Sequence, residues 1–126
     1  MVTGSANRDV MAAGTGHDLL LGAGGADVLI AMDGKDTMIG GAGADQFVFM
    51  PNAARDVIGD FHDRDSSGDD KIAVQKSLYA SMQVVQRGDN VILDFGAQGN
   101  LLIKDHTVAE IGRDDFTFHD AIGVLG

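Results

Sequence analysis

Five aspartates stand nine residues apart: Asp9, Asp18, Asp27, Asp36 and Asp45. A carboxylate is a hard oxygen donor, so a regular column of them suits a hard cation such as calcium. Of the 19 acidic residues only Glu110 is a glutamate. Solubility alone favours neither acid, so the bias calls for a local cause. Aspartate is short enough to present its oxygens from within a tight turn. The formal net charge of -10 repels nucleic acid and anionic lipid, and neither is expected as a partner.

The spacing belongs to a nine-residue unit. The segments read GSANRDVMA (4–12), AGTGHDLLL (13–21), GAGGADVLI (22–30), AMDGKDTMI (31–39) and GGAGADQFV (40–48). Position four is glycine in all but the first, where it is Asn7; position eight is Met11, Leu20, Leu29, Met38 and Phe47. Glycine admits the positive φ of a sharp bend, and asparagine is the next most tolerant residue. Six Gly-, Ala- and Asp-rich residues therefore form a turn, and three apolar ones form a short strand. Position eight points inward and its neighbours point the other way. A single unit cannot bury its apolar residue alone, but a stack of units can.

This pattern resembles the RTX, or haemolysin-type, calcium-binding repeat, G-G-x-G-x-D-x-U-x. The resemblance implies an all-β fold: a parallel β-roll, that is a right-handed β-solenoid, followed by a capping antiparallel β-strand region. Two nonapeptides make one turn of that roll, so loops on one edge recur every 18 residues. It also implies Ca2+ between stacked loops, bound by carbonyls of positions two and four plus the aspartate below, and of positions one and three plus the aspartate above. About three ions follow. The first takes Ser5, Asn7 and Asp9 with Gly22, Gly24 and Asp27. The second takes Gly14, Gly16 and Asp18 with Ala31, Asp33 and Asp36. The third takes Ala23, Gly25 and Asp27 with Gly40, Ala42 and Asp45. Residue 54, where a sixth aspartate would fall, is Ala54, so the roll is expected to stop near Phe49.

Residues 1–126 are read as a single domain: repeats over 4–48, a capping segment over 49–74, and a β-meander with a secretion-signal region over 75–126. Asp56, Ile58, Asp60 and Phe61, then Asp70, Lys71 and Ile72, resemble the D-x-I-x-D-F and D-K-I stretches that follow the last repeat in this family. Between them, Asp63, Asp65 and Ser67 precede Gly68 as in the first half of an EF-hand loop. Positions eight and twelve, Asp70 and Val74, break that motif, which leaves a solvated acidic loop or an extra weak calcium site. Residues 82–104 read as strands MQVVQ, VILDF and LLIKD joined by turns at 87–90 and 96–100. Arg87-Gly88-Asp89 is read as turn chemistry and not as an adhesion motif. Asp114, Asp115, Phe116 and Phe118 resemble the D-D-F-x-F near the end of RTX proteins, whose C-termini carry the type I secretion signal.

No catalytic constellation is present. HExxH, G-x-S-x-G and G-x-x-x-x-G-K-[ST] are all missing. His17, His62, His106 and His119 share no ligand spacing. The chain has no cysteine, which excludes disulfides, thiolate zinc sites and a cysteine nucleophile. No apolar run approaches the roughly 20 residues of a membrane span. Met1–Ser5 show no charged n-region or apolar h-region, so no N-terminal signal peptide is expected.

The resemblance therefore implies a non-catalytic, calcium-binding module, secreted by a bacterial type I apparatus and folding on Ca2+ outside the cell as the C-terminal part of a larger protein. A polysaccharide-binding accessory module and a calcium-stiffened adhesion module are the alternatives.

Overall fold

The computed structural model of the chain describes residues 2–12, 16–30, 34–49, 55–61, 70–111 and 115–119. The strands are β1 (Val2–Thr3), β2 (Val10–Ala12), β3 (Leu19–Leu21), β4 (Val28–Ile30), β5 (Thr37–Ile39), β6 (Gln46–Val48), β7 (Arg55–Ile58) and β8 (Lys71–Gln75). They continue with β9 (Gln83–Arg87), β10 (Asn90–Asp94), β11 (Asn100–Ile103) and β12 (Phe116–His119). One helix, α1 (Lys76–Ser81), follows β8.

Strands β1 to β8 alternate between two sheets, ordered β1-β3-β5-β7-β11-β10-β9 and β12-β8-β6-β4-β2. Within the repeats every pairing is parallel and offset by 18 residues, as in Leu20↔Met38 and Leu29↔Phe47. The all-β parallel roll implied by the repeats is thus present.

All five position-eight residues are buried, and four of them have no exposed surface at all. They form one core with Ile58, Ile72, Val91, Leu93, Leu101 and Ile103. The flanking positions face outward, exposed at Val10 and Ala12. On β4 they are covered instead, and Val28 and Ile30 make a second small cluster with Val48 and Ala73.

The roll does not stop near Phe49. β7 continues the first stack (Met38↔Ile58) and β8 the second (Phe47↔Ile72), at offsets of 20 and 25 residues. The connections lengthen, so the nine-residue period fails while the stacking persists. β11 then adds parallel to β7, and β10 and β9 follow antiparallel. β12 adds parallel to β8, burying Phe116. The hairpin and meander lie where the turn residues put them.

Helix α1 was not expected from the sequence. It buries Leu78 against the core and sets Tyr79 edge-on to Phe116 at 5.1 Å. The hairpin is joined to the roll by Phe49 and Phe95, stacked at 4.2 Å. Among the described residues no helix is long and apolar enough to cross a membrane.

Candidate metal centre

Each repeat aspartate ends a turn immediately before a strand, and its side chain extends the ladder by one step. The carboxylate of the upper layer accepts the backbone N–H of the aspartate below: Asp27 from Asp9 (2.8 Å), Asp36 from Asp18 (2.9 Å) and Asp45 from Asp27 (2.8 Å). The carbonyl of the lower aspartate in turn accepts the N–H of the residue after the upper one, as Val28 N–H to Asp9 O at 2.8 Å.

The columns run beyond the repeats. Asp56 accepts the N–H of Asp36 at 2.9 Å, and Asp70 that of Asp45 at 2.8 Å. One edge of the roll therefore carries Asp9, Asp27, Asp45 and Asp70; the other carries Asp18, Asp36 and Asp56. Spacing alone missed Asp56 and Asp70. The signal that finds them is the triplet of Asp, any residue, then an apolar one: Asp56-Val57-Ile58 and Asp70-Lys71-Ile72. Asp60 was also missed as a site residue. It takes the N–H groups of Gly40 and Gly41, each at 2.8 Å, where another strand would supply carbonyls.

Asp27, Asp36, Asp45, Asp56 and Asp70 are all buried. Removing a carboxylate from water costs several kcal/mol unless charge or hydrogen bonds compensate. Among the described residues, the second oxygens of Asp18, Asp27 and Asp45 are buried with no hydrogen-bond partner. Burial accordingly raises the pKa of Asp27 above 3.8; the Asp9 N–H opposes this and the Asp9 charge adds to it. Asp45 is pushed up to about 7, first by burial and then by the charges of Asp70, Asp27 and Asp60, against the Asp27 N–H.

Loop oxygens gather beside these carboxylates. A methyl group placed on Gly22 would stand 2.6 Å from Asp27 Oδ2 and 2.5 Å from the Gly40 carbonyl oxygen. One on Gly4 would stand 2.7 Å from both Asp9 Oδ2 and the Gly22 carbonyl. The first pair of oxygens belongs to the third expected ion set and the second pair to the first set. The carbonyls of Ala23 and Gly25 face Gly41 and Gly43 in the loop above. Ala23 O also accepts the Ala42 N–H at 3.0 Å, and Ser5 O that of Gly24 at 3.2 Å. The position-four bend has positive φ at Gly16, Gly25, Gly34 and Gly43, but Asn7 is not among the positive-φ residues. In that first loop Ser5 instead donates its N–H to Asp9 Oδ2 at 2.6 Å and its hydroxyl at 3.1 Å.

For the second expected set, Asp18, Asp36 and Gly16 lie in stacked loops, with the Gly16 carbonyl against Gly34. Gly14, Ala31 and Asp33 fall outside the described residues, as do Asp63, Asp65 and Ser67. Among the described residues no three acidic or histidine side chains close on one point. The carboxylates of Asp9, Asp27 and Asp45 and the carbonyls of Gly22 and Gly40 beside them are all oxygen donors, the chemistry that fits calcium.

The repeats match the family model of the RTX calcium-binding nonapeptide repeat in four copies, over residues 3–34 and 12–47. Residues 3–47 are RTX calcium-binding repeats. No curated protein matches the chain. Among solved structures, this chain is similar to the AlgE6R2 subunit of the Azotobacter vinelandii mannuronan C5-epimerase. Identity is 25%, coverage is 98% of this chain and 95% of that one, and the TM-score is 0.63. It also shares its fold with the extracellular lipase LipA from Serratia marcescens, at 21% identity and TM-score 0.53. That match covers 92% of this chain, which spans only 20% of the lipase.

Proposed function

We propose that the chain is a non-catalytic β-roll module that folds when its stacked loops take up Ca2+, and that it serves a larger secreted protein as its folding and secretion module. The observation that carries this reading is the pair of carboxylate columns. The oxygens at Asp18, Asp27 and Asp45 that are buried without a partner among the described residues lie in stacked loops that bring backbone carbonyls beside the columns, as at Gly22 and Gly40.

The ligand sets are Ser5, Asn7, Asp9, Gly22, Gly24 and Asp27; Gly14, Gly16, Asp18, Ala31, Asp33 and Asp36; and Ala23, Gly25, Asp27, Gly40, Ala42 and Asp45. An ion held there supplies positive charge between two carboxylates and ties two turns together. The chain does the rest. Asp27 belongs to two sets, so occupancy of one favours the geometry of the next. The glycine loops lose their conformational freedom only when stacked, which makes binding energy folding energy.

Extracellular calcium modules bind at roughly 10⁻⁴–10⁻³ M, whereas sensors tuned to the cytosol work at about 10⁻⁷–10⁻⁵ M. A roll of the first kind stays unfolded inside a cell, fits a type I secretion channel and folds outside it.

The test is far-UV circular dichroism during a calcium titration with magnesium as control. A cooperative coil-to-β change with calcium alone, at a midpoint near 10⁻⁴ M or above, supports the reading. A chain fully β-structured in EGTA overturns the folding switch.

A second reading rests on the full-length likeness to a subunit of an enzyme named for mannuronan: a polysaccharide-binding accessory module. The net charge of -10 weighs against an acidic polymer. Retention on immobilised alginate in calcium would support this reading, and passage through unretarded would remove it.

A further inference from the structure

The seven-stranded sheet ends on β9. Among the described residues this strand pairs with β10 on one side only, through five unbroken register pairs from Asn90↔Arg87 to Asp94↔Gln83. All five of its residues are exposed, including Val84 at 38% and Val85 at 44%. An open strand edge is a template for another strand, and proteins usually blunt it with proline, a bulge or charges along its length. β9 has neither proline nor bulge, and its one charge, Arg87, sits at the end.

We propose that the chain pairs with a second copy of itself through this edge, β9 lying antiparallel to its twin with Val85 on the two-fold axis. Arg87 and Asn90 close a two-residue turn. Hydrogen-bonded pairs alternate from there, so the N–H and C=O of Val84 and Gln86 are directed away from β10. About the axis, Val84 meets Gln86 of the second copy and exchanges both backbone hydrogen bonds with it. Val85 meets Val85 on the outer face. There it prolongs a cross-strand row already running Leu19, Thr37, Val57, Leu102, Ile92 and Val85.

Charge complementarity selects this register. Gln83 faces Arg87 of the second copy. Behind Gln83, on the same face, the register places Asp94, then Asn100, then Arg55. Arg55 donates to Asn100 at 2.8 Å, while among the described residues Asp94 accepts only a neighbouring backbone N–H, from Gly96 at 2.8 Å. At this end of β9 lies an open cavity of about 270 Å³ lined by Ser81, Gln83, Asp94, Phe95 and Gly96. The long stem of the incoming Arg87 lies over Gln83 and brings its guanidinium to the Asp94 carboxylate in that cavity. The two-fold makes the contact twice.

Sedimentation equilibrium of the full chain in saturating calcium tests this. A concentration-dependent dimer is expected. Val85→Lys places two lysines on the axis and should leave a monomer. Arg87→Glu and Asp94→Lys should each weaken the dimer by about tenfold or more, and the double variant should recover most of that loss. The dichroism spectrum and calcium midpoint of each variant should match the parent chain, because none of these residues belongs to the core or to a proposed ion set. A monomer up to millimolar concentration overturns the proposal. So does a dimer indifferent to Val85→Lys and to both charge changes.

Discussion

At the scale of single residues, the repeat aspartates are not equivalent. Asp9 is half-buried, and Ser5 answers its carboxylate within the same loop. Asp27 is buried, bridges two layers and holds an unpartnered oxygen. Asp27→Asn should therefore raise the calcium midpoint by about tenfold or more, the scale of a lost charged contact worth ~1.5–3 kcal/mol. Asp9→Asn should raise it far less, and a titration of both variants side by side checks the order. Ala23 makes a second case. Its φ is 71°, and Gly41, at the same position in the loop above, has φ 82°. An L-residue held there costs ~1–2 kcal/mol, so Ala23→Gly should raise the thermal midpoint in calcium. A fall would mean that the methyl group contributes packing worth more than the strain. The aspartate column was legible as far as Asp45 because its period is fixed. Asp56 and Asp70 were not, because what the fold conserves is the Asp-to-core distance of two residues and not the length of the loop before it.

At the scale of elements, position eight was readable because inward apolar residues every nine positions have no other use. The end of the roll was misread for the same reason. β7 and β8 keep the inward Ile58 and Ile72 but abandon the period. Helix α1 lay between a strand and a hairpin with only Leu78 to bury, too weak a pattern to register over six residues. Besides the β7–β11 pairing, aromatic rings join the repeats to the hairpin. Phe49 leaves the last repeat to stack on Phe95, and Phe47 meets Phe61 at 6.2 Å. Phe49→Ala should cost about 3–5 kcal/mol, the usual loss for a buried phenylalanine. Because Phe49 lies in the hydrophobic core and belongs to no proposed ion set, the expected signature is a lower thermal midpoint in saturating calcium. A variant as stable as the parent would show that the hairpin does not depend on this stack.

At the scale of the whole molecule, the two columns make the fold sensitive to protons and calcium in opposite directions. Without metal, the folded roll holds Asp45 at a pKa of about 7 against an ordinary 3.8, and burial raises Asp27 as well. The folded state thus binds protons more tightly than the unfolded chain does. That contribution to stability is fully present below about pH 4 and is lost as the pH rises through about 7. Metal-free roll should be most structured in mild acid and should unravel toward pH 8. With calcium the sign reverses, because the proton on Asp45 must leave before the oxygen can serve an ion. The calcium midpoint should rise as the pH falls from 7.5 to 5.5. Dichroism against pH, once in EGTA and once in calcium, separates the two arms. Parallel curves would mean that the buried carboxylates are not where the ions act. Opposed curves would tie the folding of the roll to those same side chains, because burial and the charges of its own column both raise Asp45 and a cation placed there offsets both.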